Sequence, residues 1–372
     1  MVSIADGKVV GDDIFYFRAS IERASIQRVA VVKKNSSVLK KLVADIRVNK
    51  NTFAEIPVLI IDDESDQASV NTVNPEKVRA AKKEGKEVKE RRALNQHIAD
   101  MLELMPRSQY VGYTATPFAN VFVDPSDEQG IFPKDFVLSL ERPPGYMGVE
   151  DFHDLDESAS KYSNKMAHVR QLVADEDDLG AQNDELLKAL DMFVLSGGVK
   201  LWRQERDKPN FRHHTMLVHE SVRKDDHAEL ADRVRELWRT AGYRKAAGRS
   251  RLKDLYETDL LKVSLHRCEE GISPPPAFEE LVPYIGRAIS KISEFGGNPV
   301  IVVNSDKDLR DHQQELDFER NDVWRVLVGG TKLSRGFTVE GLTVTYFRRA
   351  TKLGDTLTQM GRWFGFRTGY RD

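Results

Sequence analysis

PVLIIDDESDQASVNT, residues 57–72, runs the branched apolar residues Val58, Leu59, Ile60 and Ile61 straight into the acids Asp62, Asp63, Glu64 and Asp66. A short apolar run bounded by a proline and a cluster of turn residues reads as a buried strand. Acids at its carboxyl end then sit where open α/β sheets bind ligands. Three readings fit that placement: a metal cage that hydrolyses by itself, a Mg-nucleotide site, or an acidic turn or helix cap without chemistry. A hard cation held by one or two carboxylates plus phosphate oxygens and waters needs one acid fixed at the strand end. A second acid must orient the attacking water. The order D-E-x-D supplies both.

Working outward, strand-length apolar runs recur at RVAVVKK (28–34), QYVGYTATP (109–117), TMLVHES (215–221), PVIVVNS (299–305), WRVLVGG (324–330) and GLTVTYF (341–347). Helical periodicity lies between them, which predicts an α/β fold with mainly parallel sheets. SVLKKLVADI places Val38, Leu39, Leu42, Val43 and Ile46 on one helical face, with Asn35, Ser36 or Ser37 as N-cap. DDHAELADRVRELW does the same with Leu230, Val234, Leu237 and Trp238. From Ser126 to Gln182 the periodicity fades into scattered acids and PPG at 143–145, the mark of an inserted irregular and helical segment. The run EKVRAAKKEGKEVKERRALNQHI mixes both charge signs and reads more readily as a solvated helix than as a DNA patch.

A chain of 372 residues exceeds what one core usually serves, so about two or three domains are expected. Its 56 basic and 59 acidic residues leave a net charge of -3, so any contact with nucleic acid must be local. Lys33 and Lys34, at a strand end, are candidates for it, with surface solvation the competing reading. One cysteine, Cys268, excludes an intramolecular disulfide and a cysteine-built metal site. No apolar run of about 18 residues and no signal-like N-terminus occur, so a cytoplasmic protein without a membrane partner is expected. His213 and His214 are adjacent and point different ways, and His219 begins a turn; packing or capping explains all three. No pair of acids stands at the spacing from a lysine that a metal-dependent restriction site requires.

QYVGYTATPFANVF brings the hydroxyls of Thr114 and Thr116 to a second strand end. VLVGGTKLSRGFTVEGLTVTYF holds Arg335 and Gly336 between two strands, and DTLTQMGRWFGFRTGYRD gathers Gln359, Arg362 and Arg367. Guanidinium groups in such a segment suit a γ-phosphate, while salt bridging is their bland alternative. In this order, DESD, TAT, SRG and Q..GR resemble motifs II, III, V and VI of superfamily 2 helicases. The longer wording, IIDDESDQASVN, GYTATPFANVF, LSRGFTVEGLTV and DTLTQMGRWFGFR, with KKNSSVL, FPKDF and HHTMLVHESV, is similar to the Z-one domain family. Its members are helicase-like proteins of bacterial restriction and phage-defence loci, labelled as endonucleases.

That resemblance implies two RecA-like lobes, ATP and Mg2+ as cofactors, and DNA as partner, with restriction or defence proteins as further partners. Residues 1–125 would be the C-terminal part of a first lobe, incomplete at its N-terminus. Residues 126–195 would be the linker or insertion, and 196–372 the second lobe. Asp63 would position Mg2+, with Glu64 beside it activating water. Asp66, Thr114 and Thr116 would couple nucleotide to lobe movement. Arg335, Gly336 and Gln359 would line the nucleotide, and Arg362 or Arg367 would be the arginine finger. The departures are Thr338 where an aspartate is common, a shifted Gln359, and the lack of any G-x-x-x-x-G-K-[ST]. GGTKLS (329–334) lacks the spacing that wraps backbone amides around phosphates. The phosphate loop is therefore expected upstream in the same protein or in a partner chain, through truncation or a gene split. An ATP hydrolase is expected of the full-length protein, with this chain alone slow or inactive. The alternative is a non-catalytic DNA-binding or assembly module with a degenerate NTPase fold. Any DNA cleavage is expected from another domain or partner.

Overall fold

The computed structural model describes residues 8–9, 14–20, 26–66, 85–117, 131, 133–153, 164–207, 209–220, 224–294, 297–303, 316–329, 339–348, 361 and 364–372. The chain divides into two compact units, Met1–Ser139 and Leu140–Asp372.

In unit 1 the strands β1 (Lys8–Val9), β2 (Ile14–Ser20) and β3 (Ile26–Val32) form an antiparallel three-stranded sheet in that order. The strand expected at 28–34 is thus present but joins an antiparallel meander, because its partner is the neighbouring N-terminal run. The helices among the described residues are α1 (Ser36–Val48), α2 (Lys50–Glu55) and α3 (Gly85–Leu104). Asn35 caps α1, its side-chain oxygen accepting from Val38 N at 2.9 Å. The strands β4 (Val58–Asp62) and β5 (Ser108–Gly112) pair in parallel, Asp62 opposite Gly112. Leu39, Val43 and Ile46 of α1 bury with Leu94, Ile98 and Met101 of α3, and Val58, Ile60 and Tyr110 pack against them.

That packing covers one face of β4 only. Leu59 and Ile61, on the alternate positions, are 59% and 63% exposed. The strand expected to be buried is therefore buried on one face, as the period-two geometry of a strand allows.

Unit 2 opens with β6 (Tyr146–Met147), α4 (Val149–Phe152) and α5 (Asn164–His168). The long helix α6 (Leu179–Arg206) follows and runs unbroken across residue 195. Then come β7 (His214–His219), α7 (Lys224–Thr240), α8 (Ala246–Leu255), a π turn at Tyr256–Leu260, α9 (Leu261–Arg267) and α10 (Phe278–Ile292). The last strands are β8 (Val300–Val303), β9 (Trp324–Gly329), β10 (Leu342–Phe347) and β11 (Gly365–Phe366). β8, β9 and β10 join β7 in a parallel sheet of the order β10-β7-β9-β8. Its central strands β7 and β9 are buried throughout. Met216, Val218, Val326 and Val328 face a core built with α6, α7, α8 and α10, whereas Leu217, Leu327, Ile301 and Val303 meet Leu316, Phe318 and Val339. Burial on both faces is what a parallel sheet requires. β6 and β11 pair antiparallel as a small satellite. Among the described residues no helix is long and apolar enough to cross a membrane.

Candidate functional site: the acid turn of unit 1

The β4–β5 ladder does not stop at Asp62. Tyr113 N donates to Asp62 O at 2.8 Å and Ser65 N donates to Tyr113 O at 2.9 Å, so the turn 63–66 is folded back onto the residue after β5. Gly112 makes that approach possible: a Cβ there would lie 2.7 Å from Ser65 Oγ and 2.8 Å from Ser65 Cβ. Glu64 adopts φ 51°, the left-handed region that glutamate disfavours. Its N–H donates to Asp63 Oδ1 at 3.0 Å. Asp63 is exposed and Glu64 half-buried, while Ser65 is buried.

Asp66 is clipped from both sides. Thr114 Oγ1 donates to its Oδ1 and Thr116 Oγ1 to its Oδ2, each at 2.8 Å, and Thr116 N donates to Thr114 Oγ1 at 2.9 Å. The turn after β4 and the turn after β5 are thereby one hydrogen-bonded unit. Asp62 is set apart from the other acids. Its Oδ1 lies 2.8 Å from Lys34 Nζ, its Oδ2 accepts from Tyr110 OH at 2.5 Å, and it is buried.

The sequence offers Lys34 either as a contact for nucleic acid or as a solvated surface lysine, and neither reading names the acid turn. Its ammonium is instead engaged with the acid turn, donating also to Asp63 O at 3.1 Å and Glu64 O at 2.9 Å. Lys33 is exposed. The roles of Lys34, Tyr110 and Gly112 escaped the sequence reading. The basic strand end at 33–34 was the only signal, and it does not say which acid it will meet.

Arg335, Gly336, Gln359 and Arg362 lie outside the described residues. Arg367 belongs to unit 2, where it is buried. Its Nη1 donates to Phe366 O at 2.8 Å, and its guanidinium stands 5.9 Å from the Tyr370 ring. Burial raises the Tyr370 phenol above its ordinary range, while the charge of Arg367 and a hydrogen bond from it oppose that rise. Lys200 approaches the same ring at 3.7 Å and donates to Thr343 Oγ1 at 2.7 Å. Burial holds its ammonium well below the usual lysine range, reinforced by Arg367.

The three histidines face carbonyls or a rim acid. His214 stacks on Phe193 at 4.2 Å and donates through Nε2 to Phe193 O at 2.7 Å. His219 donates through Nδ1 to Gly329 O at 2.5 Å, and His213 Nε2 lies 3.4 Å from Glu340. Among the described residues no group of three or more His, Cys, Asp and Glu is arranged to hold a metal ion. A magnesium ion bound mainly through water and phosphate needs fewer protein ligands, and the hard oxygens of Asp63 and Glu64 suit it.

An α/β protein with an all-parallel sheet in unit 2, and an acid turn braced at the end of a parallel pair in unit 1, is the class these features define. The Z1 domain family matches residues 185–372, just over half of the chain, and the chain belongs to that family. The matched span falls within unit 2. No curated protein and no solved structure matches the chain.

Proposed function

We propose that the chain is the motor-core portion of an ATP-driven, superfamily 2 helicase-like protein that acts on DNA in restriction or phage defence. The observation that carries this reading is the clip of Asp66 by Thr114 and Thr116. It ties a D-E-S-D turn to a T-A-T turn, so that a change at one strand end moves the other. In this reading the two units are RecA-like lobes. Asp63 holds Mg2+, and Glu64, whose backbone conformation is fixed by the turn, orients the attacking water. Bound Mg-ATP would supply the phosphoanhydride to be hydrolysed, and lobe closure would drive movement along or remodelling of DNA. Arg335, Gly336 and Gln359 line the nucleotide, with Arg362 or Arg367 as finger. Of the two, the burial of Arg367 against Tyr370 favours Arg362. The phosphate-cradling loop comes from an upstream segment or a partner chain, and the protein works in the cytoplasm.

The test is DNA-stimulated ATP hydrolysis by the complete protein and by its Glu64→Gln variant. Loss of the water-orienting carboxylate is expected to lower turnover by about a hundredfold or more. Equal turnover by the two proteins would remove the motor reading. The second reading is a non-catalytic DNA-binding or assembly module; absence of a G-x-x-x-x-G-K-[ST] loop from the whole native gene would favour it, and such a loop in the upstream reading frame would favour the motor. The module reading predicts DNA binding with no ATP hydrolysis by either protein.

A further inference from the structure

The least expected contact in the acid turn is the one made by Lys34. Its ammonium has three hydrogens, and it meets three oxygens of consecutive residues: Asp62 Oδ1 at 2.8 Å, Asp63 O at 3.1 Å and Glu64 O at 2.9 Å. The other oxygen of Asp62 is taken by Tyr110 OH. Both oxygens of this buried carboxylate are thus occupied by protein donors. The carbonyls of Asp63 and Glu64 converge on one ammonium in a turn where Glu64 holds φ 51°. The backbone end of Lys34 is equally fixed. Asn35, the next residue, caps α1 and its N–H donates to Lys33 O at 2.9 Å.

We propose that Lys34 is the positioning residue of the acid turn: an internal cation that neutralises Asp62 and grips the Asp63 and Glu64 carbonyls, so that a divalent ion meets Asp63 and not Asp62. The proposal rests on the Mg-nucleotide reading above. Without the ammonium, Asp62 Oδ1 and two carbonyl oxygens become a competing set of hard donors beside Asp63. A divalent ion placed there would be displaced from the water that Glu64 orients. Lysine suits the task because a compact ammonium can satisfy three convergent acceptors, whereas the planar fork of arginine matches paired acceptors.

The experiment measures Mn2+ binding by electron paramagnetic resonance to the complete protein loaded with a non-hydrolysable ATP analogue, with circular dichroism to confirm that each variant is folded. Asp63→Asn assigns the site by abolishing binding. Lys34→Met removes the ammonium beside the Asp62 carboxylate, and Mn2+ is expected to bind tighter by on the order of tenfold. Asp62→Asn leaves the ammonium uncompensated and is expected to weaken binding by a similar factor. The double variant removes both charges and should return to within about threefold of the native affinity, the coupling expected of two groups in contact. Should Lys34→Met fail to fold, Asp62→Asn carries the sign of the effect. Shifts that are absent, or of the same sign in the two single variants, would overturn the role of Lys34 while Mg2+ binding at Asp63 stood. No Mn2+ binding by the native, nucleotide-loaded protein would overturn both.

Discussion

Gly112 shows how much of the acid turn depends on an atom that is not there. A methyl group at this position would press into Ser65 at contact distances that no side chain tolerates without movement. Ser65 is buried and its N–H is spent on Tyr113 O, so the turn must shift as a whole. Gly112→Ala is expected to destabilise unit 1 by about 1–3 kcal/mol in urea unfolding. Asp66 should also lose its two threonine donors, detectable as faster hydrogen exchange at Thr116 N. The acids themselves were legible in the sequence, because an apolar run of strand length delivers the charge that follows it to a strand end. Their division of labour was not. Asp62 is distinguished from Asp63 by its burial and by Tyr110 and Lys34, which both reach it from other segments of the chain.

Among the elements, the strands of unit 2 were read most closely: the runs at 215–221, 299–305, 324–330 and 341–347 correspond to β7, β8, β9 and β10. Branched apolar runs buried on both faces leave little ambiguity of type. The amphipathic helices followed, with Val38, Leu39, Val43 and Ile46 of α1 buried and Leu42 at the margin. Less legible was the antiparallel pairing of β3, since a strand's direction relative to its neighbour is not written in its own residues. The short helix α5 was hidden in the irregular stretch, yet it sets a pH response. Burial, with Arg267 and Arg170 nearby, lowers the His168 imidazole to about 4 against the opposing pull of Asp151 and Asp372. The unfolded chain then binds the proton that the folded chain refuses between about 6.5 and about 4. Stability of unit 2 is full above that window and should decline as pH falls through it. His214, also lowered by burial and by Lys200, acts in the same direction. Urea unfolding at pH 7.5 and pH 5 checks this, and His168→Gln should flatten the difference.

At the scale of the whole molecule, two cores divide the chain. Leu39, 5% exposed, belongs to the core of unit 1 and Leu190, 0% exposed, to that of unit 2. Leu39→Ala and Leu190→Ala should each destabilise by about 2–5 kcal/mol. Scanning calorimetry is expected to show a different transition lowered by each. A single transition shifted equally by both would show that the units unfold as one. The parallel sheet carries a further consequence for how the protein is made. β7 lies between β9 and β10, so the first strand of this sheet to leave the ribosome finds both its neighbours only when residues 324–347 have followed it. Until β9 has emerged, a strand with no exposed residue in the folded sheet has neither neighbour to pair with. Nascent unit 2 is therefore open to chaperone capture until β9 and β10 have been made.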